Sequence, residues 1–205
     1  MKRILLGEKP LVCVDVETTG LDENEHEILE ISIIALDGSV ILHTKVKPQN
    51  IEAAHPKALE VNGYNEADWA DAPTWNEIAP KVKEALTDVV LMGQNVSFDM
   101  RFINAALKRT DVGNAGISYH LVDTVTLAYV HLVPCGLRSV SLGAVCEFLG
   151  YSNEGAHSAL ADTQRTLKVY RALSRATWFS RLWWRLMGPR RAKAAKAAYK
   201  ASKAA

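Results

Sequence analysis

The sequence predicts an α/β domain built on a mixed sheet. Two observations carry that expectation. β-rich runs come first, at 11–17, 28–37 and 40–47, and helical periodicity dominates later, interleaved with short apolar runs. Composition agrees: 205 residues at 48% hydrophobic and 23% charged suit a soluble globular domain able to bury a core without disulfides.

Residues 11–17 (LVCVDVE) begin as a buried strand and end in carboxylates, and Thr18-Thr19-Gly20 breaks the run as a loop. The runs at 28–37 and 40–47 join at Asp37-Gly38, a step that signals a hairpin, so the first three strands form an antiparallel meander. Residues 50–69, with Pro56 and Gly63, give short helical turns and a surface loop. Pro73 fits the first turn of a helix reaching about residue 86, with Ile78, Val82 and Leu86 at helical spacing. A strand over 88–93 ends in Gly93-Gln94-Asn95, and a helix over 97–108 puts Phe98, Phe102, Ala105 and Ala106 on one side. A strand over 118–122, a helix over 123–132, a break at Pro134-Cys135-Gly136, a helix over 140–149 stopped by Gly150 and a helix over 158–174 complete the domain. The division expected is a domain over 1–175 and a tail over 176–205.

Three cysteines, Cys13, Cys135 and Cys146, lack CxxC spacing and sit among apolar neighbours, as buried thiols of a reducing compartment do. The apolar run after the two basic residues of the start is too short for a secretory signal, and no stretch is long enough to span a bilayer, so a cytoplasmic protein is expected. The net charge of +1 hides a division. Residues 1–162 hold half of the 24 Lys+Arg and all 23 Asp+Glu, for a net −11, while 163–205 hold the other 12 cations and no acid.

Asp15 and Glu17 lie two apart at the end of a strand, so both side chains leave on one face. Two carboxylates in one small space repel, and one takes a proton unless a cation separates them. Hard divalent cations bind such oxygen clusters. Asp99 falls in the first turn of a predicted helix, where the macrodipole favours an acid with or without a further role. His157 precedes a helix on which Asp162 follows; imidazole titrates near neutrality and can take a proton from water, and Asp162 could reach the cluster.

The blocks VDVETTGLD at 14–22, GQNVSFDMRFI at 93–103 and HSALADT at 157–163 resemble the DnaQ-like (DEDD) 3′–5′ exonuclease superfamily, in its histidine-bearing DEDDh branch. The resemblance covers about residues 10–173 and leaves out the tail. It implies a ribonuclease H-like fold, a mixed five-stranded sheet flanked by helices, and two divalent ions, Mg²⁺ or Mn²⁺, that serve hydrolysis of the terminal phosphodiester to nucleoside 5′-monophosphates. By motif position Asp15 would bridge both ions, Glu17 and Asp162 would complete one of them, Asp99 would support the site, and His157 would be the general base. Thr18, Gly20 and Leu21 occupy the turn that meets the terminal nucleotide, with Leu21 as a wedge against the last base. Phe98 fits either a place near the sugar or, through its spacing to Phe102, the core. His55 and Asn62 fall where relatives carry a substrate-contacting loop. DNA, at single-stranded or frayed 3′ ends in proofreading or repair, is the preferred substrate; trimming of short RNA and a non-catalytic binding module are the alternatives.

In the tail, Trp178, Phe179, Leu182, Trp183 and Leu186 share one helical arc with Arg181 and Arg185 opposite. A terminal helix docked on its own domain fits that pattern, as does contact with a partner protein, such as a polymerase or another replication or repair protein, or with a lipid surface. After Gly188-Pro189, the Lys- and Ala-rich end favours helix but lacks an apolar face, so it is expected to fray when free and to attract phosphates.

Overall fold

In the computed structural model, which describes residues 9–204, β1 (Leu11–Thr18) runs through the middle of a five-stranded sheet of order β3-β2-β1-β4-β5. β2 (Ile28–Ala35) and β3 (Val40–Lys45) form the antiparallel meander on one side, turned at Asp37, whose Oδ1 accepts from Ser39 N at 2.9 Å. β4 (Val90–Gly93) and β5 (Leu121–Asp123) add in parallel on the other side, which makes the sheet mixed as expected. The last strand starts later than its apolar run: Ser118 N donates to Val89 O at 3.1 Å, but the ladder opens only at Leu121.

Strand alternation divides the core. Val12, Val14 and Val16 point into a cluster with Ile78, Val82 and Leu86 of α3 (Trp75–Leu86) and Phe102 and Ile103 of α4 (Val96–Lys108), numbered after the short helices α1 (Pro56–Val61) and α2 (Glu66–Trp69). Leu11 and Cys13 point the other way, against Leu167 and Tyr170 of α7 (Ala159–Leu173). Asp15 and Glu17 continue that second face by the same period of two. A third cluster joins α7 to α5 (Thr124–Leu132), α6 (Leu142–Leu149) and Trp184 of α8 (Trp178–Ala204). All three cysteines are buried and free.

One length mismatch positions the site. β1 pairs with β4 only over Leu11–Cys13, so the end of β1 outruns its parallel neighbour. The backbone groups it leaves without a ladder partner on that edge must find another.

The tail meets the domain by the side of its helix away from the apolar arc. Gly188-Pro189 does not end the helix; α8 runs through it to Ala204. Contacts on both sides of the proline hold it. Trp184 is buried against the third cluster, and Arg191 Nη1 donates to Leu149 O, at the open end of α6, at 2.7 Å. Gly188 lies against the Phe148 ring, where an added Cβ would sit 2.2 Å from Cζ, so the two helices meet this closely only at a glycine. Among the described residues no helix is long and apolar enough to cross a membrane.

Candidate active site

Asp15 and Glu17 leave β1 on the α7 side, and Asp162, in the first turn of α7, completes a trio whose carboxylate oxygens lie within 4.8 Å of one another. Polar contacts set the register of α7 over the sheet: Thr163 Oγ1 and Ser32 Oγ are 2.8 Å apart, and Cys13 Sγ donates to Thr163 O at 3.5 Å. Residue 163 is thereby fixed against β1 and β2, and its neighbour Asp162 is brought to Asp15 and Glu17.

Asp99 enters from the edge that β4 leaves open. It is 3% exposed, and its Oδ1 accepts from Val16 N at 2.9 Å, the group between the two strand carboxylates. Leaving that N–H unpartnered would cost about 1–3 kcal/mol. Asp99 is not one of the converging trio; it holds the backbone that carries two of them.

Glu30 was not foreseen as a site residue. It faces Glu17 across the β1–β2 ladder, is buried, and has Oε1 2.7 Å from His43 Nε2. The same oxygen accepts from Ser158 Oγ at 3.2 Å, which ties β2 to the residue that precedes α7. Its sequence signal is an acid inside the otherwise apolar run ILEISIIA, since an acid is almost never buried without a partner. Arg165 also joins the site, with no signal in the sequence pattern. Its buried guanidinium contacts Asp162 Oδ1 and donates to Asn153 Oδ1 at 3.0 Å.

The carboxylates raise one another. Burial, then Asp99, Glu17, Asp162 and Glu30, push Asp15 well above the usual range. Burial, with Asp162 and Glu30, lifts Glu17 to about 7, against the pull of Arg165. Burial lifts Asp99 to about 8, although the Val16 N–H favours its charged form. A pocket of oxygen ligands that holds protons this tightly is short of positive charge, which is the donor set and the deficit that a divalent cation satisfies.

His157 stands exposed in the turn before α7, outside the converging trio, with a left-handed backbone at φ +69°. That conformation costs a non-glycine residue about 1–3 kcal/mol and persists where surrounding contacts impose it. Here Ser158, bound to Glu30, follows immediately.

The turn after β1 is braced on every side. Thr18 Oγ1 donates to Gly20 O at 2.6 Å, Glu27 N donates to Thr19 Oγ1 at 2.8 Å, and Asn62 Nδ2 donates to Thr18 O at 2.9 Å. His55 N adds a bond to Thr19 O at 2.7 Å. His55 and Asn62, expected in a substrate-contacting loop, therefore act at least as struts for this turn. Gly20 lies so close to the His26 ring that a Cβ would be 2.1 Å from Cδ2. Leu21 projects from the braced turn, 81% exposed. Phe98 packs beside Phe102, ring centroids 4.7 Å apart, at the edge of the first core cluster.

A family model described as an exonuclease, RNase_T, matches residues 12–170. The chain is 31% identical over 169 residues to a PolC-type DNA polymerase III of Thermotoga maritima, across 80% of this chain and 12% of that protein. It is 28% identical to the DNA polymerase III subunit epsilon of Aquifex aeolicus, across 82% of each, and 29% identical to ribonuclease T of Shewanella denitrificans, across 80% of this chain and 79% of the relative. Its fold is that of Escherichia coli exonuclease I, solved with single-stranded DNA, at a TM-score of 0.69 and 19% identity, over 83% of this chain and 41% of that one. The chain thus spans a small part of the PolC-type polymerase and under half of exonuclease I. The match runs from β1 to α7, across the whole ribonuclease H-like sheet, and the chain belongs to this exonuclease family of the DnaQ-like superfamily.

Proposed function

We propose that the protein is a divalent-metal-dependent 3′–5′ exonuclease that releases nucleoside 5′-monophosphates from DNA ends. The observation that carries this reading is the convergence of Asp15, Glu17 and Asp162 at the open end of the sheet. Bound there, two Mg²⁺ or Mn²⁺ ions would supply an activated water and neutralise the leaving oxygen. The chain's own residues do the rest. Asp15, Glu17 and Asp162 offer the ligand oxygens, and Asp99 sets the spacing of the first two through Val16. His157 accepts the proton of the attacking water from the rim, with its backbone held through Ser158 and Glu30. Thr18 and Gly20 shape the turn from which Leu21 wedges against the terminal base, and Phe98 supports the sugar side from the core edge.

DNA is preferred because two of the relatives are DNA polymerase III components, a likeness that also suggests proofreading or repair. The ribonuclease T likeness supports short RNA 3′ ends as the second reading. The buried free cysteines suit a reducing cytoplasm.

The test is incubation of matched end-labelled DNA and RNA strands with Mg²⁺ or Mn²⁺. Stepwise shortening of DNA from the 3′ end is expected, and none with Asp15→Ala. Full activity of that variant, or activity in excess chelator, would sink the assignment.

A further inference from the structure

The apolar arc of α8 does not face the domain. Trp184, Gly188 and Arg191, on one side of the helix, make its contacts with α6. At about 100° per residue the arc of Trp178, Phe179, Leu182, Trp183 and Leu186 lies on the opposite side. All five side chains are exposed, Trp178 at 69% and Phe179 at 75%. A helix anchored by its smaller, mixed face and carrying five large apolar groups outward presents, among the described residues, an uncovered surface.

Charge selects the occupant. Residues 163–205 contain no acid and 12 cations. Arg185, expected opposite the arc, falls beside Trp178 at its margin on a continuous helix, and Arg190, Lys193 and Lys196 are exposed along its continuation. Within the arc Leu182, Leu186 and Phe179 lie in the middle and the two tryptophans at the margins. A nucleic-acid strand would reward the aromatic faces and the cations but leave the central leucines in water. A lipid interface covers all of them: leucines inward, tryptophans at headgroup depth, and arginines and lysines among anionic phosphates. The helix carries cations and no acid, which matches a plane of negative charge.

We propose that α8 docks the protein on an anionic lipid surface, lying in the interface plane with Trp178, Phe179, Leu182, Trp183 and Leu186 inserted. The placement stands on α8 alone and is independent of the proposed chemistry.

The experiment is cosedimentation of the full chain with phosphatidylglycerol–phosphatidylcholine vesicles, with pure phosphatidylcholine vesicles beside them. Partition to the anionic vesicles should be about tenfold stronger or more, should weaken with salt, and should shift tryptophan emission to the blue. The double variant Leu182→Glu/Leu186→Glu alters exposed positions away from the acidic site, so its fold and its action on short free strands should match wild type. It should lose at least about tenfold in vesicle partition and lose the emission shift. Equal binding to both vesicle types, no binding, or an unaffected double variant would overturn the proposal. So would a variant that keeps its vesicle behaviour but loses strand affinity or self-association, which would assign the face to nucleic acid or to a second copy.

Discussion

The end of β1 and the body of α8 resolve opposite problems of burial. At the end of β1, carboxylates that favour water are crowded together half-buried beside the buried Asp99, and proton affinity rises at Asp15, Glu17 and Asp99. On α8, tryptophans and leucines that favour burial stand in solvent beside cations. The complement proposed for each region follows from its chemistry: hard cations for the acids, an anionic apolar interface for the helix.

The largest effects should come from the acidic end. Asp15→Ala or Asp162→Ala should reduce nuclease activity to background while leaving the circular dichroism spectrum of the fold; appreciable residual turnover would break the contrast at its stronger pole. His157→Ala should lower turnover by about 10²–10⁴-fold with calorimetric affinity for Mn²⁺ retained, because the imidazole lies outside the converging oxygens. A matching loss of metal affinity would place His157 among the ligands instead.

Glu30→Ala should cost about 10–100-fold in activity, as outer groups that orient a metal site do, whereas Glu30→Gln, which can still accept from Ser158, should recover most of it. Equal damage from both variants would show that charge rather than positioning is the role of Glu30.

Acidity gives a gentler test. Burial and neighbouring carboxylates lift Glu17 from 4.5 to about 7, so the metal-free fold binds this proton more tightly than the unfolded chain. The resulting stabilisation is full below the unfolded value of 4.5 and is lost as pH rises through about 7, with Asp99 adding a loss near 8. Melting of metal-free protein should therefore fall by several degrees from about pH 5 to about pH 8.5, and saturating Mn²⁺ should restore most at the alkaline end. A melting temperature that rises across this interval would contradict the crowded-acid account. The smallest effect belongs to α8: Leu182→Glu/Leu186→Glu should leave thermal stability nearly unchanged, since these side chains are already in water.

Much of the domain was legible because its signals are local. Asp37-Gly38 announced the hairpin, alternation in LVCVDVE assigned Asp15 and Glu17 to one face, and Gly150 marked the end of α6. Glu30 was harder to see, since an acid in an apolar run shows itself as a site residue only when Glu17 lies across the ladder and Ser158 comes within reach. Likewise Asp99 could be placed at a helix start from sequence, but its partner Val16 depends on β1 extending beyond β4.

Residue order by itself determined the strand meander, the side on which the acids leave β1, and the existence of an apolar arc in the tail, because each follows from backbone periodicity over a few residues. Tertiary structure decided the rest: that α7 brings Asp162 to the strand pair, that Glu30 joins them, and that α8 seats Gly188 on Phe148 with its greasier side outward. The physical reason is that periodicity states which side chains share a face, whereas only the shape and polarity of the opposing surface choose which face is covered.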